Sequence, residues 1–149
     1  MERKNLFWTF ASLFLFVLAS AAVYAAPIDF DSTTFLIKPD NANLTISSSA
    51  YLSLYVVSSN GPTPFTANIT LTSGSVTPNN TYISDVTGNC DSTNMCSFKR
   101  LIPFTITGAG PFSYTLSLTD NSTNNSKIIV INGTGRVDAD NDGYYSIAT

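Results

Sequence analysis

The chain has 149 residues, of which 44% are hydrophobic, a formal net charge of -3 and no histidine. Its few basic residues are scattered, so they cannot form the basic face with which proteins bind nucleic acid. Two cysteines without any histidine exclude the usual zinc sites. Glu2 is the only glutamate, so general acid–base catalysis by histidine or by a mature-chain glutamate is also excluded. We therefore expect the protein not to be an enzyme.

Residues 1–25 have the pattern of a secretory signal peptide. Arg3 and Lys4 give it a positively charged start, and residues 6–18 form an apolar run of 13 residues, too short to cross a bilayer comfortably. Small residues follow and predict cleavage before Ala26. We expect a signal-peptide helix and then a mature chain without a membrane span, secreted or displayed at the extracellular cell surface.

From residue 26 to residue 136, short runs of alternating apolar and polar residues are separated by turn residues. In one run Leu52, Leu54 and Val56 share a face, while tyrosine and serine share the other. The run 112–119 alternates aromatic or aliphatic residues with serine and threonine. This pattern predicts an all-β domain, an antiparallel β-sandwich of about seven to eight strands.

Two runs contain residues that indicate their position in a sheet. Pro103 interrupts the run 98–106, and because proline cannot donate a ladder hydrogen bond, it predicts an edge position or a bulge. Residues 127–131 are apolar on both faces, which is typical of a central or closing strand.

The segment 110–120, GPFSYTLSLTD, resembles the penultimate strand of immunoglobulin-like extracellular modules, especially polycystic-kidney-disease repeats and cadherin-like domains. In those families a glycine, a tyrosine and an alternating Thr/Leu run precede an Asp-rich turn and a final strand. The resemblance extends to Val130. It implies an immunoglobulin-like sandwich. It transfers no functional residue, because the Trp-Asp-Phe-Gly-Asp-Gly type of signature of the polycystic repeat is absent from the sequence.

Cys90 and Cys96 enclose a short loop. An exported protein meets an oxidising compartment, and an even number of cysteines favours pairing. We therefore predict a Cys90–Cys96 disulfide that fixes a loop between two strands. Closing so small a loop stabilises the folded state by about 2 kcal/mol.

Six Asn-x-Ser/Thr sequons suggest a glycoprotein. Two of them lie on strands, opposite the apolar side, and others lie in loops, where a glycan has the solvent it requires. The alternative is a sandwich that is merely rich in asparagine and threonine. The six asparagines are Asn43, Asn68, Asn79, Asn121, Asn124 and Asn132.

Residues 137–149 form an Asp-rich segment. Asp138, Asp140 and Asp142 are spaced so that three carboxylates can converge on one hard cation, with Gly143 allowing the sharp turn. The Tyr144 carbonyl can supply a further ligand. The sequence therefore predicts Ca²⁺ as a cofactor. The alternative is an Asp/Gly-rich turn without metal.

This segment resembles the Asp-x-Asp-x-Asp-Gly-Tyr calcium motifs of thrombospondin type 3 repeats and of repeats in bacterial and archaeal surface proteins. In those motifs further aspartates downstream complete the site. Compared with a different calcium motif, the EF-hand loop, the segment has Thr149 at the twelfth position, where a bidentate glutamate belongs. The resemblance implies a calcium-binding linker, with truncation of a longer chain as an open alternative.

Tyr51 and Tyr55 lie four residues apart on one predicted strand, so both project from the same face. Two exposed rings can stack on a sugar, or they can cover a sheet face or a contact between domains. Asp29 and Asp31 form a carboxylate pair near the mature N-terminus, to which we assign no catalytic role.

Together these features predict an exported, glycosylated, non-catalytic structural or adhesive module whose partners are other surface proteins or glycans. One alternative is a carbohydrate-binding module of a secreted hydrolase. Another is a filament subunit that donates its polar, unpaired segment 28–34 as a strand to a neighbouring subunit.

Overall fold

Residues 27–38, 44–45 and 49–136 are described by the computed structural model, and they form ten strands in two sheets. Sheet A contains β1 (Thr34–Lys38), β3 (Ser49–Ser59), β5 (Val76–Thr77), β7 (Asn89–Cys90) and β8 (Met95–Ile106). Sheet B contains β2 (Leu44–Thr45), β4 (Pro64–Ser73), β6 (Asn80–Val86), β9 (Gly110–Asp120) and β10 (Ser126–Arg136). The predicted all-β sandwich is confirmed. Three of the ten strands have only two residues, too short to be recognised in the sequence. The predicted signal helix lies outside the described residues.

The chain crosses between the two sheets repeatedly. Sheet A has the order β1-β3-β8-β5, with β7 also pairing with β8, and sheet B has the order β2-β10-β9-β4-β6. All pairs are antiparallel except the short pair of β2 with β10, which is parallel. Consecutive strands β3 and β4 belong to different sheets, as do β8 and β9. Each sheet therefore combines early and late parts of the chain.

The core lies between the two sheets and follows the period-two alternation of the strands. The predicted inward faces are confirmed, because the apolar residues at alternating positions of β3, β4, β8 and β9 are buried, with Phe98 at the start of β8 partly so. Burying one such side chain stabilises the fold by about 1.5–3 kcal/mol. The inward residues include Leu52, Leu54 and Val56 of β3, Ile102, Phe104 and Ile106 of β8, Ala67 and Ile69 of β4, and Phe112, Tyr114, Leu116 and Leu118 of β9.

Aromatic rings join the two sheets in the core. Phe104 of sheet A lies with its ring centroid 5.8 Å from that of Phe112 and 6.0 Å from that of Tyr114, both in sheet B. The Tyr114 hydroxyl donates to the carbonyl oxygen of Pro78 over 2.8 Å. Burial raises the pKa of Tyr114 to about 12, so the hydroxyl keeps its proton and can donate this hydrogen bond even in moderately alkaline solution.

The structure tests two features of the sequence, Pro103 and the doubly apolar run 127–131. Pro103 lies on β8 between the short stretches that pair with β7 and with β5, so among the described strands its far side has no ladder partner. The edge position predicted for this proline is thus confirmed. In β10, Ile128 is 67% exposed and Val130 is 56% exposed. This strand is therefore buried on one face only, contrary to its doubly apolar sequence.

The beginning of the described chain is held in the sandwich. Ile28 is 5% exposed, and it forms an isolated bridge with Ser58 of β3. The Asp29 N–H donates to the Val57 carbonyl over 2.8 Å, and the Lys127 Nζ donates to the Phe30 carbonyl over 2.8 Å. The expectation of an unpaired segment 28–34 is therefore wrong, because an apolar side chain and several backbone groups at its start find partners.

Candidate functional site

The outer face of sheet A carries a continuous apolar patch. On β3, Tyr51 and Tyr55 point outward on either side of Ser53, and Ser53 pairs with Leu36 of β1 and with Leu101 of β8. Ser53 also points outward, yet it is only 9% exposed. Four larger side chains on neighbouring positions therefore surround Ser53 and shield it from solvent. We call this surface, formed by Leu36, Tyr51, Tyr55 and Leu101, the tyrosine face.

The members of the tyrosine face are themselves open to solvent. The exposed fractions are 39% for Tyr51, 38% for Tyr55, 45% for Leu36 and 50% for Leu101. Together they expose an apolar area on the order of 300 Å², which is comparable with the largest patch on a typical monomer and is often functional. The two tyrosines are separated by about 13 Å along β3, the rise of four residues in a strand. The prediction that both share one face is confirmed.

The charged side chains on the strands that flank Tyr51 and Tyr55 are cationic. Lys38 of β1 pairs with Tyr51, and Lys99 of β8 pairs with Tyr55. The described strands of sheet A contain no aspartate or glutamate at all. The described strands of sheet A thus contribute only cations, whereas Asp91, in the loop after β7, adds a carboxylate next to Tyr55.

A groove of about 290 Å³ continues the tyrosine face towards the disulfide. It lies beyond Tyr55 and combines apolar with polar side chains. Asp91 lines it, but its carboxylate is occupied within its own loop, since Oδ1 accepts from the Thr93 hydroxyl at 2.7 Å, the Thr93 N–H at 2.8 Å and the Met95 N–H at 3.0 Å. The Thr93 bonds, foremost that of the hydroxyl, lower the pKa of Asp91. The lining residues are Tyr55, Val57, Asn89, Cys90, Asp91, Met95, Cys96 and Ser97.

The predicted disulfide between Cys90 and Cys96 is confirmed. The two residues face each other directly on β7 and β8. Between them, the Asn94 carbonyl accepts from the N–H of Asn60 at 3.1 Å and from the N–H of Gly61 at 2.7 Å. The disulfide loop is therefore joined to the turn between β3 and β4, and it fixes one end of the groove.

Sequence reasoning missed a cluster of buried hydroxyl groups beneath that turn. Ser58, Thr63 and Thr87 are each fully buried. The Ser58 and Thr87 hydroxyl oxygens are 2.6 Å apart, and the Thr63 N–H donates to the Thr87 hydroxyl oxygen over 2.9 Å. The Ser58 hydroxyl also donates to the Gly61 carbonyl over 2.6 Å. Buried polar groups need such partners, and this cluster satisfies several at once.

The sequon asparagines within the described ranges are all exposed, and they lie on strands of sheet B, in a turn between two of its strands, or directly before one of them. Asn68 points outward from β4 and Asn132 points outward from β10. Asn121 and Asn124 lie in the turn between β9 and β10, and Asn79 directly precedes β6. The five described sequons therefore lie on or beside sheet B, while the tyrosine face lies on sheet A. No feature of the local sequence predicts this separation, because it depends on the strand order.

Several predicted site residues lie outside the described residues, namely Asn43, Asp138, Asp140, Asp142 and Tyr144. Among the residues that are described, no group of three or more histidine, cysteine, aspartate or glutamate side chains can hold a metal ion.

The carboxylate pair near the mature N-terminus has a local role. The Asp29 carboxylate accepts from the Ser32 hydroxyl at 2.7 Å and from the N–H groups of Asp31 and Ser32 at 3.1 and 3.2 Å. The Ser32 hydroxyl is the main cause that lowers the pKa of Asp29. Asp29 therefore stabilises the turn that precedes β1.

No family model matches this chain, and no curated protein sequence matches it. The resemblances to polycystic-kidney-disease repeats, cadherin-like domains and thrombospondin type 3 repeats therefore stay predictions. In the part of the chain that the structure describes, no helix has the length and hydropathy needed to cross a membrane.

Proposed function

We propose that the protein is an exported, glycosylated, non-catalytic module with a structural or adhesive role at a cell surface. The observation that carries this proposal is the separation of its two faces. The described sequon asparagines lie on or beside sheet B, and the tyrosine face lies on sheet A. Sheet B also exposes apolar side chains, namely Tyr82, Ile128 and Val130, but there they lie among the sequons. Such an arrangement suits a surface module that is covered by glycans on one side and makes contacts with the other.

The disulfide and the signal sequence support export. A disulfide persists in an oxidising compartment, outside the cytosol, and the Cys90–Cys96 bond joins two strands of the sandwich. Residues 1–25 have the pattern of a cleaved signal. Both features support a folded module on the far side of the membrane.

Expression in a secretory, N-glycosylating host tests the proposal. We expect the protein in the medium, starting at Ala26, with a mass that falls when N-glycans are removed enzymatically. Asn68→Gln and Asn132→Gln are each expected to remove one glycan. The matched control is Asn89→Gln, an exposed asparagine of β7 outside any sequon. Retention inside the cell, or an unmodified mass at every sequon, contradicts the proposal.

The proposal includes calcium binding by residues 137–149. Asp138, Asp140 and Asp142 repel one another at short range, and a divalent cation neutralises them. Carboxylate and carbonyl oxygens are the ligands that calcium prefers, which favours these three side chains and the Tyr144 carbonyl. Bound calcium then stiffens the segment that follows β10.

Limited proteolysis tests the calcium site. We expect cleavage after Gly143 to be slower with calcium than with a chelator, with a Kd on the order of 10⁻⁴ M, as in extracellular modules. The triple variant Asp138→Asn, Asp140→Asn, Asp142→Asn is expected to be cleaved rapidly under both conditions. Equal cleavage of the unmodified protein with and without chelator refutes the site.

The strand-donating filament subunit is less well supported. Its donor strand would come from segment 28–34, whose first residues already pair with β3 and with Asp120 of their own chain. Donation would first have to break those contacts.

A further inference from the structure

We infer that the protein pairs with a second copy of itself through the open edge of β10, so that the B sheets of the two copies join into one antiparallel sheet. The inference goes beyond the proposed function, because it concerns the assembly of the fold and does not depend on export. The observations that support it are the backbone of β10, the side chains along its open edge, and the contrast with the other edges of the sandwich.

The strand β10 has a partner along one side only. On that side β9 pairs with almost its whole length, whereas on the other side, among the described residues, β2 reaches only the last two positions. The Asp120 N–H donates to the Asn125 carbonyl over 2.8 Å, so Asn125 faces β9, and every second residue after it does the same. The residues in between, including Ile128 and Val130, therefore direct their N–H and C=O groups to the open edge.

An edge of this kind selects an extended strand as its occupant, because its donors and acceptors alternate at the spacing of a β-ladder. The edge is also its own complement, since two antiparallel copies of it exchange identical hydrogen bonds across a two-fold axis. We place that axis at Ile129. Residues 126–132 of the two copies then pair with one another, and the pairing ends before Gly135, where β2 begins.

The side chains along the open edge fit this register. Ile128 is 67% exposed and Val130 is 56% exposed, and each lies opposite the other residue of the second copy. Apolar β-branched pairs of this kind stabilise a sheet. The exposed Asn132 lies opposite the small Ser126 of the second copy. Because its side chain stands perpendicular to the sheet, a glycan on Asn132 projects away from the paired edges.

The other open edges of more than two residues have features that prevent pairing. Lysine, proline, charge and short length protect an edge strand. The stretch of β8 between β7 and β5 contains Lys99 and Pro103, β6 contains Asp85, and β1 has only five residues. The open stretch of β10 contains no proline. Its lysine, Lys127, donates to the Phe30 carbonyl of its own chain. Among the described edges, β10 is therefore the one suited to pairing.

Pairing through β10 closes at two copies. Both copies use the same edge, so the contact is isologous and cannot continue into a filament. The joined sheet then ends at β6 on both sides, where Asp85 opposes further pairing. A single pair of strands buries less than the ~800 Å² per partner of a stable complex, so we expect a weak dimer with a Kd on the order of 10⁻⁵ M.

Sedimentation equilibrium of the purified full chain, at concentrations below and above that Kd, tests the inference. We expect the mass to rise from that of a monomer to that of a dimer. Val130→Pro is expected to weaken the dimer about 10-fold or more, because it removes an N–H of the open edge that pairing with β9 does not use.

The matched control is Ser84→Pro in β6. The Leu71 N–H donates to the Asn79 carbonyl, so Asn79 and every second residue after it face β4, and Ser84 directs its N–H to the open edge of β6. This variant carries the same chemical change on the opposite edge of sheet B and should dimerise normally. Circular dichroism and the thermal midpoint of each variant establish that it is folded.

A second variant leaves the backbone unchanged. Ile128→Lys places two like charges close together in the dimer, and it should weaken association about 10-fold or more at low salt. Since Ile128 is 67% exposed, the monomer should keep its stability. Tyr82→Lys is the matched control, because Tyr82 is 65% exposed and lies on β6. It should dimerise like the unmodified protein.

Cysteine cross-linking tests the register. A mixture of the Ile128→Cys and Val130→Cys proteins should form a disulfide-linked dimer faster than either protein alone, because opposite residues of paired strands have Cα atoms about 5.5 Å apart. Rapid linking of the Val130→Cys protein with itself would place the two-fold axis at Val130 and overturn the register.

The remaining outcomes also decide. A monomer at every concentration overturns the inference, and so does a dimer that neither Val130→Pro nor Ile128→Lys weakens, because the contact then lies elsewhere. The measurement is repeated on glycosylated protein and after removal of its N-glycans. Dimers in both forms agree with the inference. A dimer that forms only after removal shows that a glycan blocks the edge, and it overturns the inference for the glycosylated module.

Discussion

The backbone N–H of Ile28 donates to Oδ2 of Asp120 over 2.9 Å, although 92 positions separate the two residues in the chain. Oδ1 of the same carboxylate accepts from the Ser122 N–H at 2.8 Å, the Ser122 hydroxyl at 2.5 Å and the Thr123 N–H at 3.2 Å. Asp120 is only 1% exposed. One buried carboxylate therefore connects the start of the sandwich to the turn between β9 and β10.

Asp120→Asn is expected to lower the free energy of unfolding by about 2–3 kcal/mol. The substitution removes a charged acceptor and turns an NH₂ group towards N–H donors that then lack a partner. Urea denaturation of protein produced in a host without N-glycosylation measures the change, because asparagine at either of the two tested positions would create a new sequon. Asp85→Asn is the matched control, because the exposed Asp85 carboxylate accepts from the N–H of its neighbour Val86. It should cost less than about 0.5 kcal/mol. Equal losses in the two variants contradict the role of Asp120.

Acid should destabilise the fold through the same carboxylate. Burial raises the pKa of Asp120, but hydrogen bonds from Ser122, Ile28 and Thr123 outweigh burial, so the pKa lies below the ordinary 3.8. The folded state therefore favours the ionised form. Its contribution to stability is complete above the unfolded pKa, near pH 4, and is lost as the pH falls through the lower folded pKa.

Urea denaturation at pH 5, pH 3 and pH 2 checks this expectation. The unmodified protein should lose stability across that range, and Asp120→Asn should lose less of it, because the titrating group is gone. Asp29 and Asp91 also have lowered pKa values, so both proteins keep a residual acid dependence. Identical slopes for the two proteins would show that Asp120 does not contribute.

Removing the disulfide should loosen one end of the sandwich more than the other. In the double variant Cys90→Ala, Cys96→Ala, the free energy of unfolding should fall by about 2 kcal/mol, because the unfolded chain regains the freedom of a short loop. The Asn94 carbonyl then holds the turn less firmly, so the Gly61 N–H should exchange faster with deuterium. The matched amide is that of Leu71, which donates to the Asn79 carbonyl in sheet B.

Amide exchange followed by NMR separates these two sites. Faster exchange at Gly61 with unchanged exchange at Leu71, under conditions in which exchange proceeds by local opening, agrees with the expectation. Equal acceleration at both amides would mean that the disulfide stabilises the molecule only globally.

Gly74→Ala is expected to cost about 2–4 kcal/mol. Gly74 has a φ of +93°, a conformation that residues with a Cβ rarely adopt. An added Cβ would also lie 2.7 Å from the Cα of Phe112, whose side chain is buried, so the core cannot yield without strain. Gly88→Ala is the control, because its Cβ would meet only the Val86 carbonyl oxygen, at 3.8 Å. Thermal denaturation that ranks the two variants equally refutes the close-packing argument.

The sequence predicts the faces of the strands well, because alternation is local. The inward positions of Leu54, Phe104 and Leu116 follow from the pattern alone, and so does the shared face of Tyr51 and Tyr55. The sequence does not predict that Ser53 is covered, since this depends on which residues of β1 and β8 lie beside it.

Long-range polar contacts were also beyond the sequence. Asp120 reads as a turn residue at the end of a strand, and nothing nearby in the sequence indicates that its carboxylate receives the N–H of Ile28. The Ser58 and Thr87 hydroxyls are in contact because β3 and β6 both finish at the same end of the sandwich. A serine or threonine looks the same in sequence whether it is solvated or buried with a partner.

The attachment of the first described residues has a consequence for the proposed export. The Ser59 N–H donates to the Pro27 carbonyl over 3.2 Å, and Ile28 is inserted in the core. With cleavage before Ala26, the folded body begins almost at the scissile bond. A protease needs several residues of extended, unengaged chain around the bond that it cuts. In the proposed export, removal of the signal would have to precede closure of the sandwich, because a precursor that folds first would keep its leader.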